Sequence, residues 1–203
     1  MIDFYTAATP NGRKVAIMLE ELQIPYTTHQ VNLKEQEQKK PEFLAMNPNG
    51  RIPVIVDRAN GRDTAVFESA AILYYLAEQN GGRFFGKTLE EKTSVMQWMM
   101  FQMSAVGPMF GNLYYGHHSM HPPVPQFVER FDKESHRVVG VLELQLSKHP
   151  YLAGNAYTIA DMVTYPWVAI FLKSYPHLFT ETPAVHRWAE AISQRPAVQK
   201  AMS

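Results

Sequence analysis

The chain has 203 residues, no cysteine, and 19 basic against 19 acidic residues, for a formal net charge of +0. That length supports a core without staples. The missing thiol excludes structural disulfides, thiolate metal sites and a cysteine nucleophile, and the balanced charge gives no basis for nucleic acid or an anionic membrane as partner. No apolar run reaches the ~20 residues of a membrane span, and the start MIDFYTAATPNGRK lacks the basic and apolar regions of a secretory signal. A soluble, cytoplasmic protein is expected.

Ile2–Tyr5 reads as a short strand, and Arg13–Leu22 as a helix with Val15, Met18, Leu19 and Leu22 on one face. Tyr26–Leu33 alternates loosely as a second strand, which makes a β-α-β unit with parallel strands. Lys34–Lys40 is charged and reads as exposed loop. IPVIVD (52–57) and TAVF (64–67), joined by a turn around Asn60-Gly61, read as an antiparallel hairpin, followed by a helix over Ser69–Gln79. β-α-β followed by β-β-α is a thioredoxin-like order.

Gly81, Gly82 and Gly86 punctuate a linker over 81–88, after which strand-like alternation disappears. Helical spacing runs through Glu90–Met109, Val124–Lys148, Thr158–Ser174 and Pro183–Arg195, with Pro150 and Pro176 as stops. The expected class is α/β plus all-α. A thioredoxin-like domain occupies 1–80, and an all-helical domain occupies 89–203.

Four stretches then bear on identity: TPNGRK, NPNGRIPVIVD, FESAAILYYLAE and TIADM. In this order and over nearly the whole chain they resemble the cytosolic glutathione transferases. Thr9 with Asn11, the segment through Gln38, KPEFLAMNPNGRIP and GPMFGNLYYGHH are similar to the bacterial nu-class branch, whose members are glutathione-dependent disulfide-bond oxidoreductases. The resemblance implies reduced or oxidised glutathione as co-substrate, no metal, a small disulfide or an electrophile as acceptor, and a homodimer. It also implies a cis Ile52-Pro53 bond that turns the Ile52 N–H and C=O toward the ligand backbone. A glycyl carboxylate would meet Gln38, with Arg51 nearby and Arg130 from the helical domain.

The TPNG loop sits where a thioredoxin-like fold would carry CPxC. Thr9 and Asn11 flank Pro10, whose fixed φ suits entry into a helix. Their side chains are poor nucleophiles, yet both can donate to a thiolate. A hydrogen bond to a charged acceptor is worth ~1.5–3 kcal/mol and one pKa unit is 1.36 kcal/mol, so one or two donors lower a bound thiol by ~1–2 units from about 8.5. On this reading the loop activates glutathione's sulfur in place of its own. Tyr5, at the end of the first strand, is the competing hydroxyl, although its ring also reads as core. The plain alternative for Asn11-Gly12 is turn chemistry.

Ser69 reads as the N-cap of its helix, where a hydroxyl and first-turn N–H groups receive a carboxylate, and Glu68 can accept from an ammonium. Together they match the charges of a γ-glutamyl end; the alternative is a cap beside a solvated acid. Thr158-Ile159-Ala160-Asp161 has capping-box spacing, with Tyr157 and Met162 as a staple, and reads as a folding signal. His117 and His121 have i,i+4 spacing, but Gly116 and Pro122-Pro123 argue against a helix presenting both. A loop beside the acceptor pocket is expected instead. Among Trp98, Phe101, Phe110, Tyr114, Tyr115 and Trp167, only Tyr114 and Tyr115 are placed at that pocket.

Overall fold

The computed structural model describes residues 1–61 and 63–203; the expected turn at Asn60-Gly61 runs into Arg62, which lies outside them. Two compact units form, one from Met1–Phe85 with Arg195–Ser203, the other from Gly86–Gln194. The helical region expected over 89–203 therefore ends, as a compact body, before its last helix.

The first unit runs β1 (Ile2–Thr6), α1 (Pro10–Leu22), β2 (Tyr26–Gln30), α2 (Pro41–Met46), β3 (Val54–Asp57), β4 (Thr64–Phe67) and α3 (Ser69–Gln79). The sheet order is β2-β1-β3-β4. β1 and β2 are parallel, whereas β1–β3 and β3–β4 are antiparallel. Strand period two separates the faces. Tyr5 packs with Val31, Phe43, Met46, Ile52 and Val54 on the side that α2 covers, while the neighbouring residues Phe4 and Ile55 are buried on the other. β3 starts only at Val54 because Pro53 has no ladder donor, and the Ile52-Pro53 bond is cis, as is His121-Pro122. Residues 34–40 are mostly exposed, with a short 3-10 turn at Glu37–Lys39.

The second unit contains α4 (Leu89–Phe101), a π-helical turn at Gln102–Val106, α5 (Gly107–His118), α6 (Pro125–Leu146), α7 (Ile159–Ser174) and α8 (Pro183–Ser193). The Thr88 side chain accepts from Glu91 N and the Glu91 carboxylate accepts from Thr88 N, so α4 begins with a capping box. At α7 the expected box is present, and its acid is also the unit's polar hub. Asp161 Oδ1 accepts from Leu152 N at 3.0 Å and Trp188 Nε1 at 2.9 Å, and Oδ2 accepts from Thr158 N at 2.9 Å and Thr158 Oγ1 at 3.2 Å. Burial pushes this carboxyl up to about 6, against the pull of those four donors.

α9 (Pro196–Met202) completes the first unit by packing on α1. Val198 is buried, Arg195 grips Glu21 with two hydrogen bonds at 2.6 and 2.9 Å, Lys200 pairs with Glu20 at 2.9 Å, and Arg13 donates to the Met202 carbonyl. No helix among the described residues is long and apolar enough to cross a membrane.

Candidate functional site

α1 starts one turn earlier than its apolar spacing indicates. Thr9 is the N-cap with extended backbone (φ −129°), and Pro10 and Asn11 are the first helical residues. Asn11-Gly12 is therefore part of a helical turn, not a hairpin-type turn. Thr9 Oγ1 accepts from Gly12 N at 3.2 Å, an arrangement that spends a lone pair and leaves the hydroxyl proton for another acceptor. Gly12 is required by space: a Cβ there would lie 2.3 Å from Thr6 Oγ1 and 2.5 Å from the Ala7 carbonyl oxygen. The Tyr5 ring is stacked on His29 at 4.5 Å and edge-on to Phe43 at 6.5 Å.

At the start of α3 the structure corrects one detail. Glu68, not Ser69, is the N-cap; its carbonyl accepts from Ile72 N at 2.9 Å, and Ser69 is the first helical residue. Glu68 has φ +69° and ψ 117°, a region that costs a non-glycine residue on the order of 1–3 kcal/mol and persists where surroundings enforce it. The strained peptide leaves the Glu68 side chain exposed while Ser69 is buried. Beneath Ser69 lies Lys14 of α1, whose Nζ donates to Ser69 Oγ at 3.3 Å. Lys14 is 1% exposed. Burial pulls its ammonium down to about 7, with the Glu68 charge acting in the opposite sense.

The α2–β3 connection holds the third group. Buried Asn47 donates to the Arg51 carbonyl at 2.7 Å and accepts from Asn49 N at 3.0 Å. Asn49 Nδ2 reaches Glu68 Oε1 at 3.4 Å, so this loop and the α3 start are tied together. Gly50 takes φ +61°, and a Cβ there would come within 2.9 Å of the Gln38 carbonyl oxygen, which seats the loop against the 3-10 turn. Gln38 Oε1 is buried and has no hydrogen-bond partner among the described residues. Arg51 is exposed beside the cis Ile52-Pro53 bond. The first unit thus joins, in one body, donors at Thr9, an unmatched amide at Gln38, a cis-proline loop, and a helix start backed by a buried cation.

A glutathione S-transferase N-terminal domain profile matches residues 8–79, and the corresponding C-terminal domain profile matches residues 108–196. The chain belongs to the glutathione S-transferase family. It is 38% identical to the disulfide-bond oxidoreductase YfcG of Escherichia coli strain K12, over 100% of this chain and 94% of that one. A glutathione transferase of Burkholderia graminis, solved with two glutathione molecules bound per subunit, superposes with TM-score 0.93 at 38% identity, covering 99% of this chain and 87% of that one. A Pseudomonas putida glutathione transferase, solved with one glutathione disulfide per subunit, gives TM-score 0.93 at 34% identity over 100% and 90% of the two chains. A thioredoxin-like domain and a helical domain in this order are the transferase architecture.

The remaining expected residues lie in the second unit. Tyr114 and Tyr115 are half-exposed on α5, where the Tyr114 ring meets His118 at 4.4 Å and Tyr115 meets Phe127 at 6.3 Å. Phe110 is core, stacked on Phe171 at 4.2 Å. Arg130 is exposed on α6. Contrary to the loop expected around the histidines, His117 and His118 form the last turn of α5, and His121 lies beyond its end. A different trio, Asp132, His136 and His177, brings ligand atoms within 4.8 Å of one another, with His177 Nε2 held 2.7 Å from Asp132 Oδ1. Sequence reasoning missed Lys14, Asn47 and Asn49: lysine and asparagine are presumed solvated unless something signals burial. The only available signal for Lys14 was its position between Arg13 and Val15 on a helix entering the core.

Proposed function

We propose that the protein is a glutathione-dependent disulfide-bond oxidoreductase in which bound glutathione supplies the thiolate. The observation that carries this reading is the N-cap geometry of Thr9: in a chain without cysteine, a hydroxyl that accepts from Gly12 N keeps its proton for an anionic sulfur at the helix start. Asn11 provides the second donor. The γ-glutamyl end docks at Glu68 and Ser69, the cysteinyl backbone pairs with Ile52 ahead of cis Pro53, and the glycyl carboxylate meets Gln38, Arg51 and Arg130. Tyr114 and Tyr115 line the acceptor pocket, and the working form is a homodimer.

The chemistry is two exchanges. The glutathione thiolate attacks one sulfur of the acceptor disulfide, forming a mixed disulfide and releasing one acceptor thiolate. A second glutathione thiolate attacks the glutathionyl sulfur of that intermediate, giving glutathione disulfide and the second acceptor thiolate. Two glutathiones are oxidised, one disulfide is reduced, and protons follow the released thiolates. Exchange is fastest when the attacking thiol's pKa lies near ambient pH, which two donors bring about.

The test is reduction of hydroxyethyl disulfide by glutathione, coupled to glutathione reductase and NADPH. An enzyme-dependent rate that falls at least about tenfold in folded Asn11→Ala is expected, since one charge-assisted hydrogen bond is worth ~1.5–3 kcal/mol. Glutathione binding without that rate would overturn the reading. Turnover of a chlorinated aromatic instead would identify a conjugating transferase, and neither activity would identify a binding module.

A further inference from the structure

A lysine with 1% exposure is an expensive way to fill a core, because an apolar side chain of the same volume is commonly neutral or stabilising in its place. Lys14 is not at the sulfur end of the site. Its ammonium meets Ser69 Oγ at 3.3 Å, at the first turn of α3, and burial depresses its pKa to about 7 while the nearby Glu68 charge offsets part of that. Such a group in a binding region calls for a functional reason.

We propose that Lys14 is a positioning residue for the γ-glutamyl end of glutathione: its ammonium fixes the Ser69 hydroxyl and places a positive charge behind the α3 start. The inference rests on the reading of Glu68 and Ser69 as the γ-glutamyl site. Two physical arguments carry it. First, a hydroxyl that accepts from an ammonium is held in place and polarised by it, as chained hydrogen bonds polarise one another. Second, the γ-glutamyl end carries one ammonium and one carboxylate. Glu68 and protonated Lys14, the form that predominates below about pH 7, offer one charge of each sign in return. Lys14 offsets the Glu68 charge, which on its own opposes a ligand carboxylate at a helix start that otherwise attracts one.

The experiment compares glutathione with an analogue lacking only the γ-glutamyl α-carboxylate, each bound to the full-length protein in calorimetric titrations. Lys14→Met preserves volume and removes the charge and the donor; Lys14→Gln keeps a donor and removes the charge. The wild type is expected to prefer glutathione. That preference should shrink about tenfold in Lys14→Met and about threefold in Lys14→Gln, with analogue affinity unchanged in both, since ion–ion terms at partly buried sites are of this order. A merely structural role would weaken both ligands alike or neither. Unchanged discrimination in a folded variant overturns the proposal, and Lys14→Gln alone decides if Lys14→Met does not fold. A wild type that binds glutathione and analogue equally overturns instead the reading of the α3 start.

Discussion

The Thr9 hydroxyl accepts from the Gly12 amide at 3.2 Å, so capping leaves its proton for the thiolate donation proposed for it. Thr9→Ser keeps both and is expected to retain most of the disulfide-reduction rate. Thr9→Ala loses the donor together with ~1 kcal/mol of cap stability, and should show both defects, in coupled assay and thermal melting. Asp161 supports a second residue-scale prediction. Burial holds its pKa at about 6 in the folded state, above the ordinary carboxyl value of 3.8, so the folded state binds the extra proton. Its contribution is then most favourable below about pH 4 and declines as pH rises through about 6, by roughly 3 kcal/mol in all. Asp161→Asn cannot titrate and presents N–H groups to donors. Its unfolding free energy is expected to be lower throughout, with the wild-type advantage narrowing between pH 4 and 6. An advantage that widened with pH across that interval would contradict the assignment.

Gly12 lies in the first turn of α1, where alanine would gain up to ~1 kcal/mol of helix propensity. The contacts decide against it: a Cβ would lie 2.3 Å from Thr6 Oγ1 and 2.5 Å from a main-chain oxygen that cannot rotate away. Gly12→Ala is expected to cost ~1–3 kcal/mol and to displace Thr9 and Asn11, visible as a lower denaturation midpoint and weaker glutathione binding. Elements also show where the sequence was legible. IPVIVD, TAVF and Ser69–Gln79 could be read because β-branched runs and a long apolar helix face are strong local signals. α2 and α9 span six and seven residues, too few turns for periodicity to register. The latter half of α5 was obscured by Gly116, which with Pro122-Pro123 reads as arguing against a helix. In the structure a Cβ at Gly116 would be 3.0 Å from the Phe127 ring and 3.1 Å from Val128, so that glycine admits α6 instead of ending α5.

At the scale of the molecule, the profile matches and the order of a four-stranded α/β unit and a helical unit agree on the family. Much of the candidate site was legible in TPNG, NPNGRIP and ES because those stretches carry residue-specific chemistry. Lys14 was not, because burial of a charge depends on what the rest of the chain packs over it. Pairing into a homodimer is a prediction at this scale. Sedimentation should give twice the 23.2 kDa chain mass, and a concentration-independent monomer would contradict it.

Residues 195–203 close over α1 although residues 86–194 form the other compact unit. During synthesis, the body that emerges first is therefore finished last. At ~5–20 residues per second, the roughly 110 intervening residues delay its final helix by on the order of ten seconds. Through that interval Glu20 and Glu21 have no Lys200 or Arg195 to meet, and the helix that presents Thr9, Asn11 and Lys14 is held from one side fewer. The first unit in consequence acquires its complete set of contacts only after residues 86–194 have been made and residues 195–203 have joined it.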